Sequence, residues 1–457
     1  MSALEAQAPG LPKNNIDEEF SMESAFGQLS QISTLAISGT VVQTVGHTVI
    51  AEGFPAPVGA IAAIRRPGQS PAMAQVIGFK GDQTILCPYS PLIGIRNGCP
   101  IDLVRTAFQL KVGPDLIGRI VDATGNPIDD AGPLYLAQRQ SLLTPEINAR
   151  RRPRIDRILP TGVRVIDGLL TCGRGQRLGI FAGSGVGKST LLGMMARYTD
   201  ADVIVLGLVG ERGRELNDFI QRDLGPEGLA KSVIVVSTSD EPAIKRSLSC
   251  YTATAIAEYF RDQGKDVLLL MDSLTRFAQS QREIGLAAGE PAVARGYPPS
   301  VFASMAPLLE KAGRTEKGSI TAFYTVLVDG DDENEPVADT VRSLLDGHVW
   351  LSRKLAQAGR YPAVDVLKSV SRLANELTDA KQRRAAQKVH QLMAAYAENE
   401  DLISIGAYKS GANPLVDSAI EARPAIEEYL RQSVNDGSAF DSTREQLLEF
   451  LNGDPKS

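Results

Sequence analysis

The stretch from Gln176 to Tyr198 decides the fold and reads QRLGIFAGSGVGKSTLLGMMARY. An apolar run from Leu178 to Phe181 precedes a glycine-rich turn, and an apolar pattern with helical spacing follows it. This order predicts a strand, a phosphate-binding loop and a helix. Backbone N–H groups in such a loop cradle phosphate oxygens, and the positive end of the helix dipole points at the same place. The stretch therefore predicts a nucleotide-binding α/β domain.

The loop contains side chains suited to both phosphate and metal. We expect Lys188 to contact the β- and γ-phosphates of ATP and the Ser189 hydroxyl to ligate Mg²⁺. Ala182 stands where the consensus has its first glycine. A turn without a ligand is the alternative, but the loop, the lysine, the hydroxyl and the flanking periodicity all agree. The predicted ATP-binding residues of the loop are Gly183, Ser184, Gly185, Val186, Gly187, Lys188, Ser189 and Thr190.

Composition excludes several classes of protein. A chain of 457 residues predicts two to four domains. The formal net charge of −6 argues against nucleic acid as the main partner. The four cysteines form no CxxC pair, so we expect reduced thiols rather than a zinc site or a disulfide framework. Neither a signal peptide nor an apolar run of roughly 20 residues is present, which predicts a cytoplasmic protein.

Hydrophobic periodicity divides the chain into four parts. Residues 1–32 combine a flexible tail with a loosely helical stretch that either packs on its own domain or docks on a partner. Residues 33–108 carry short β-rich runs between turn residues, which predict a small β-barrel or sandwich. Residues 109–378 alternate near-continuous apolar strands with helical segments, as in a mainly parallel sheet covered by helices. Residues 379–457 are predicted to form a C-terminal helical domain.

Hydrolysis needs groups beyond the phosphate loop. Asp272 ends the apolar run from Val267 to Met271, where a carboxylate can hold Mg²⁺ through a water in the Walker B role. Glu211 follows another apolar strand, so it lies at the same sheet edge as the phosphate loop and could polarise the attacking water. An exposed glutamate at a helix start, favoured by the helix dipole, is an equal alternative.

Eight segments in combination resemble the flagellum-specific and type III secretion ATPases, which are relatives of the catalytic subunits of rotary ATP synthases. The resemblance covers about residues 30–440 and rests on GSGVGKST, VGERGRE, LLLMDSLTRFAQSQREIG, RGYPPSVF, GSITAFYTVLVDGDD, VWLSRKLA, YPAVDVLKSVSR and DLISIGAYKSGANP. It implies a multidomain α/β fold with an N-terminal small β-barrel, a central P-loop (RecA-like) domain and C-terminal helices. It also implies an ATPase with Mg²⁺ as cofactor that energises protein export.

The resemblance assigns roles to residues around the loop. Glu211 looks like the catalytic glutamate, with Arg212 nearby, and Asp272 looks like the Walker B aspartate. Arg276 resembles a basic residue by the phosphates.

Two further residues are implied at a distance from the loop. Tyr361 resembles the aromatic that stacks on adenine, and its alternative is a turn tyrosine packed beside Pro362. Arg372 resembles the arginine finger that reaches into a neighbouring subunit, and its alternative is an ordinary salt-bridged arginine. One kind of chain could therefore build complete sites around a closed ring.

The resemblance also implies partners. We expect a homo-oligomer, a six-subunit ring in this family, with a stator-like negative regulator bound through residues 16–32. The loops at 295–299 and 329–336 would face a coiled-coil stalk protein at the ring centre. The other expected partners are export-gate membrane proteins, chaperones and export substrates, and no nucleic acid is expected. The protein would be cytoplasmic and peripherally associated with an inner-membrane export apparatus.

Other functions remain open at this point. A rotary synthase catalytic subunit would carry the acidic lever motif Asp-Glu-Leu-Ser-Glu-Glu-Asp, but this chain continues as SIGAYKSGANP. A Rho-like RNA translocase lacks support because no aromatic, basic RNA platform is evident. A non-catalytic nucleotide-binding ring subunit would have lost the carboxylate that Glu211 supplies. Residues 401–408 and Asn413-Pro414 resemble the flagellar more than the virulence branch.

Overall fold

The computed structural model describes residues 36–142, 150, 152–328, 332 and 335–452. The predicted helix at 16–32 and most of the predicted loop at 329–336 lie outside these residues. Within the described ranges, no helix combines the length and the apolar character that crossing a membrane requires.

The first described part of the chain is a closed barrel of antiparallel strands. Its strands are β1 (Ser38–Val45), β2 (Thr48–Glu52), β3 (Ile61–Ile64), β4 (Ala72–Lys80), β5 (Gln83–Pro88) and β6 (Pro100–Arg105). They pair in the order β1-β2-β5-β4-β3-β6, and β6 pairs with β1 to close the ring of strands. In β4 the inward Ala72, Ala74 and Val76 are buried while Met73 is exposed. The closed pairing of these six strands, with buried side chains facing inward, confirms the predicted barrel rather than the sandwich.

A mainly parallel sheet forms the centre of the molecule. Two strands, β7 (Gln109–Val112) and β9 (Gln138–Ser141), pair separately from it. The strands of the sheet are β8 (Ile120–Asp122), β10 (Arg177–Ala182), β11 (Val203–Glu211), β12 (Ser232–Thr238), β13 (Asp266–Asp272), β14 (Gly313–Arg314), β15 (Ser319–Leu327), β16 (Gly347–Leu351) and β17 (Val370–Ser371). Their order is β17-β16-β10-β15-β13-β11-β12-β8, with β14 on β15. In the described sheet only the β16–β17 and β14–β15 pairs are antiparallel.

Hydrophobic cores cover both faces of this sheet. In β11, Val203 and Val205 belong to one core, whereas Ile204 and Leu206 belong to the other. Successive side chains of a strand point to opposite faces, so a doubly covered strand must be apolar at every position. This is why the strands appear in the sequence as near-continuous apolar runs.

Helices surround the sheet and form the C-terminal part of the described chain. The α-helices are α1 (Arg164–Leu169), α2 (Lys188–Tyr198), α3 (Gly213–Asp218), α4 (Gly225–Ala230), α5 (Ala243–Asp262), α6 (Leu274–Ala287), α7 (Pro299–Glu310), α8 (Pro336–Leu344), α9 (Arg353–Gln357), α10 (Ala374–Leu377), α11 (Ala380–Ser404), α12 (Pro414–Leu430) and α13 (Phe440–Asn452). Side chains cap the N-termini of four of them: Ser273 for α6, Glu335 for α8, Asp379 for α11 and Asn413 for α12. The architecture of barrel, parallel sheet and C-terminal helices confirms the predicted fold class.

The segment after α12 ties the C-terminal helices to the nucleotide-binding domain. The backbone N–H of Gln432 donates to the carbonyl of Tyr361 at 3.0 Å. The guanidinium of Arg197, at the end of α2, donates to the carbonyl of Val434 at 2.5 Å. The segment between α12 and α13 therefore contacts both the helix that follows the phosphate loop and the turn that carries Tyr361. The exact domain limits proposed at 108/109 and 378/379 stay predictions.

All four cysteines are buried and unpaired, as the sequence predicts. Burial, helped by the nearby Glu283 carboxylate, raises the pKa of the Cys87 thiol to about 12. Burial also raises the pKa of the Cys172 and Cys250 thiols, so these three groups are protonated at neutral pH and serve as packing groups.

Candidate active site

The phosphate loop bends where only glycine fits easily. It connects the end of β10 at Ala182 to the start of α2 at Lys188. Gly185 has a φ of 78° and Gly187 a φ of 88°, in the left-handed region that other residues rarely adopt. A β-carbon at Gly187 would also lie 3.3 Å from the ring of Tyr361. The loop thus has the backbone shape of a phosphate cradle, and the ring of Tyr361 lies beside it.

Lys188 lies between two carboxylates. Its Nζ donates to Oδ1 of Asp272 at 2.5 Å and lies 3.8 Å from Oε1 of Glu211. Burial lowers the pKa of Lys188, but the two carboxylates outweigh burial and the net shift is upward. Lys188 is therefore a charged ammonium held at the carboxyl ends of the parallel strands, where ligands of open α/β sheets bind.

The Asp272 carboxylate is held by two donors. It is 4% exposed, and its Oδ1 accepts hydrogen bonds from Lys188 and, at 2.7 Å, from the Thr325 hydroxyl. Among the described residues, no hydrogen bond reaches Oδ2. Sequence reasoning missed Thr325. Its signal was a hydroxyl residue near the carboxyl end of a buried strand, beside the strand that ends at Asp272.

Glu211 is the last residue of β11 and is only 22% exposed at its side chain. The exposed helix-start alternative does not describe this position, because α3 begins two residues later at Gly213. Burial and the Asp272 carboxylate, opposed by Lys188, together raise the pKa of Glu211 to about 7. A carboxyl whose pKa is moved toward neutrality is suited to proton transfer or to polarising water.

The two predicted arginines near Glu211 differ in placement. Arg276 in α6 packs beside the end of β11, since a β-carbon on Gly210 would lie 3.2 Å from its Cβ and Cγ. Its Nε is buried and has no hydrogen-bond partner among the described residues. Arg212 points away from Lys188, because its side chain is 80% exposed and pairs with Glu215 at 3.4 Å. The single chain thus brings Arg276 to the site and leaves Arg212 at the surface.

Arg372 lies at the opposite end of the sheet from the phosphate loop. Its N–H donates to the carbonyl of Asp346, and Asp346 pairs in turn with Arg177 at the start of β10. Ala182 lies five positions after Arg177 in β10, which is about 16 Å along a strand. Arg372 is exposed and lines a cavity of about 330 Å³ with Asp339, Arg342, Ser343, His348 and Val370. It cannot reach a phosphate bound at Lys188 of its own chain.

The residues at the loop fit a magnesium-bound nucleotide. In the part of the chain that the structure describes, no group of three or more His, Cys, Asp and Glu could hold a metal unaided. Mg²⁺ needs no such cage, because it binds through one or two protein ligands together with substrate phosphates and water. Ser189 is exposed in the first turn of α2, and Asp272 has an oxygen without a described donor. Both are oxygen ligands of the kind that Mg²⁺ prefers.

Replacing Tyr361 by serine is expected to raise the KM for ATP by roughly 5- to 100-fold, because stacking of a base on an aromatic ring is worth about 1–3 kcal/mol. We expect kcat to change little, because stacking on the base would stabilise the bound substrate and the transition state equally. Steady-state kinetics measure both constants. Tyr361→Phe is the control and should keep the wild-type KM within about two-fold. An unchanged KM in Tyr361→Ser would leave the tyrosine as a turn residue packed beside Pro362.

Comparison with known proteins gives consistent similarities. Residues 162–371 match the nucleotide-binding domain of the ATP synthase alpha/beta family, and residues 378–449 match the T3SS EscN ATPase C-terminal domain. The chain is 51% identical over 407 residues to a flagellum-specific ATP synthase of Treponema pallidum, which covers 89% of this chain and 91% of that protein. It is 46% identical over 421 residues to a type 3 secretion system ATPase of Xanthomonas euvesicatoria, which covers 91% and 95%. Among solved structures, the chain is similar to the assembled ATPase EscN in complex with its central stalk EscO, from the enteropathogenic E. coli type III secretion system. The TM-score is 0.84 and the sequence identity is 45%, and the match covers 90% of this chain and 100% of that one.

Proposed function

The chain belongs to the family of flagellum-specific and type III secretion ATPases, and on that premise we propose that it hydrolyses Mg·ATP at sites shared between neighbouring subunits of a ring. Membership makes it an ATP-hydrolysing enzyme of protein export. The match of residues 378–449 to an export ATPase domain favours this function over that of a rotary synthase subunit. The placement of Glu211 beside Lys188 favours catalysis over a purely structural ring subunit.

Within one chain, the proposed roles follow from the contacts of the loop. Lys188 is paired with Asp272, and its ammonium would turn to the β- and γ-phosphates of ATP. Ser189 and Asp272 would hold Mg²⁺, which neutralises the negative charge that develops on the phosphate oxygens. Glu211 would orient and polarise the attacking water from the end of β11. Arg276 would add positive charge beside Glu211.

The position of Arg372 is the observation that carries the shared site. A positive charge placed on the transferring phosphoryl group speeds its transfer. In its own chain, however, Arg372 is separated from the phosphate loop by the length of β10, about 16 Å. Arg372 is nevertheless exposed beside a cavity and makes no ion pair with a described residue. Its guanidinium is therefore available to contact a neighbouring subunit. A heterologous contact that repeats around a closed ring would bring Arg372 of one copy to Lys188 of the next.

The relatives support finer proposals about the assembly. EscN is described as assembled and in complex with its central stalk. We extend this to the present chain as a ring, six-membered by analogy, with a coiled-coil stalk protein at its centre. We also propose the flagellar branch, which agrees with the 51% identity to a flagellum-specific relative. We propose further that a regulator binds through residues 16–32 and that the ring contacts export-gate proteins and chaperones. The protein would associate peripherally with the cytoplasmic side of the inner membrane.

ATP turnover per chain is expected to rise with protein concentration and to level off once rings have formed, because one chain holds only part of the site. Phosphate release measured across a wide dilution series tests this expectation. Binding of a fluorescent nucleotide per chain is the control, and it should stay constant, since the phosphate loop is complete within one chain. Turnover per chain that stays flat down to concentrations where light scattering shows monomers would contradict the shared site.

A further inference from the structure

Thr325 occupies a position between the two strands that form the catalytic centre. It lies in β15, which pairs with the phosphate-loop strand β10 on one side and with β13, the strand that ends at Asp272, on the other. The side chain is fully buried, and its hydroxyl donates to Oδ1 of Asp272 at 2.7 Å. A buried hydroxyl costs free energy unless it is hydrogen-bonded, so its hydrogen bond to this carboxylate is informative.

Two donors hold the same carboxylate oxygen, but nucleotide binding would leave only one of them. Lys188 and Thr325 both donate to Oδ1. An arriving triphosphate competes for the Lys188 ammonium, because phosphate oxygens attract the same charge. Thr325 has no such competitor, since its hydroxyl is buried beneath the site. Its hydrogen bond would therefore be the one that keeps Asp272 in place in the nucleotide complex.

We propose that Thr325 is a positioning residue for magnesium, whose hydroxyl fixes Oδ1 of Asp272 so that Oδ2 can serve the metal or its bound water. The inference rests on the proposed Mg·ATP site. Groups that hydrogen-bond a metal-binding carboxylate restrict its orientation, and their loss typically weakens metal affinity by roughly 10- to 100-fold. The hydroxyl of Thr325 would accordingly influence Mg²⁺-dependent binding and leave metal-free nucleotide binding alone.

Thr321 offers a matched control on the same strand. It is also buried, at 1% exposure, and its hydroxyl accepts a hydrogen bond from the N–H of Gly175 at 2.8 Å. It lies four residues before Thr325, on the same face of the sheet and about 13 Å further from the site. Thr321→Val therefore makes the same chemical change at a similar depth without touching Asp272.

The test is equilibrium binding of mant-ADP with Mg²⁺ and with EDTA, which requires no turnover. In Thr325→Val we expect the dissociation constant in EDTA to stay within about two-fold of wild type, while the gain in affinity that Mg²⁺ provides falls by roughly 10-fold or more. Thr325→Ser restores the hydroxyl and should restore the gain. Thr325→Ala is a second hydroxyl-free variant, so the result does not depend on how one side chain packs.

Other outcomes would overturn the assignment. A full Mg²⁺-dependent gain in both hydroxyl-free variants would show that Asp272 needs no help from Thr325. An equal loss in EDTA, or the same loss in Thr321→Val, would make the residue structural. A wild-type protein with no gain from Mg²⁺ would contradict the proposed metal site itself, and the role of Thr325 would fail with it.

Discussion

Glu211→Gln is expected to lower ATP turnover by about 10²- to 10⁴-fold, the usual contribution of a positioned general base or acid. The glutamine keeps the size of the side chain and loses the charge that polarises water. Nucleotide affinity should persist, because the loop from Gly183 to Thr190 and the contact of Lys188 with Asp272 are untouched. Phosphate release and mant-ADP binding measure the two properties separately.

Glu215→Gln is the matched control for this substitution. Glu215 lies four residues further along the chain, is 47% exposed and pairs with the exposed Arg212. Exposed ion pairs contribute little, so turnover in this variant should stay within about two-fold of wild type. Unchanged turnover in Glu211→Gln would remove the catalytic role of Glu211 and revive the non-catalytic ring subunit as an explanation.

Glu211→Gln should also change how the stability of the folded protein depends on pH. Burial and Asp272 raise the pKa of Glu211 from 4.5 to about 7 in the folded protein. A raised folded-state pKa means that the stability contributed by this group is complete below about 4.5 and is lost as the pH rises through about 7. Glutamine cannot ionise, so nucleotide-free Glu211→Gln should have a higher Tm than wild type at pH 8. That difference should shrink toward pH 5.

The parallel sheet could be predicted from sequence because burial on both faces leaves a clear pattern. The apolar run 203–209 became β11 (Val203–Glu211), and the run 320–328 became β15 (Ser319–Leu327). Such runs admit few other structures when turns and helical patterns separate them. The phosphate loop was equally clear, because its glycines, lysine and hydroxyl are contiguous in the chain.

The contacts within the site could not be predicted in the same way. The hydrogen bond between Thr325 and Asp272 joins residues 53 positions apart, and it exists because β13 and β15 are neighbours. Apolar runs predict strands but say little about which strands pair in which register. Nearness in sequence also misleads: Arg212 follows Glu211 directly, yet successive side chains diverge where the strand ends, and Arg212 faces solvent.

Arg372→Ala is expected to lower turnover by about 10³- to 10⁵-fold, as loss of an arginine finger does in related phosphoryl transfers. Lys188→Ala should be inactive as well, because it lacks the phosphate-binding ammonium. Mixing the two inactive proteins should restore activity. An interface is intact when an Arg372→Ala chain provides the phosphate loop with Lys188 and a Lys188→Ala chain provides Arg372. Random mixing of equal amounts makes about a quarter of the interfaces of this kind. Phosphate release from equimolar mixtures, against each variant alone, measures the recovery.

The recovery distinguishes a shared site from one complete within a chain. If Arg372 acted only inside its own chain, as a salt-bridged structural arginine would, no arrangement of the two variants could contain an intact site. Mixing Lys188→Ala with the double variant Lys188→Ala/Arg372→Ala is the control, because it provides rings but no intact loop, and it should remain inactive. Mixtures of the single variants that form rings by light scattering and stay inactive would contradict the finger. Within one chain, the length of β10 separates Arg372 from the phosphate loop. Any contribution of Arg372 to hydrolysis must therefore be made at the phosphate loop of a neighbouring subunit.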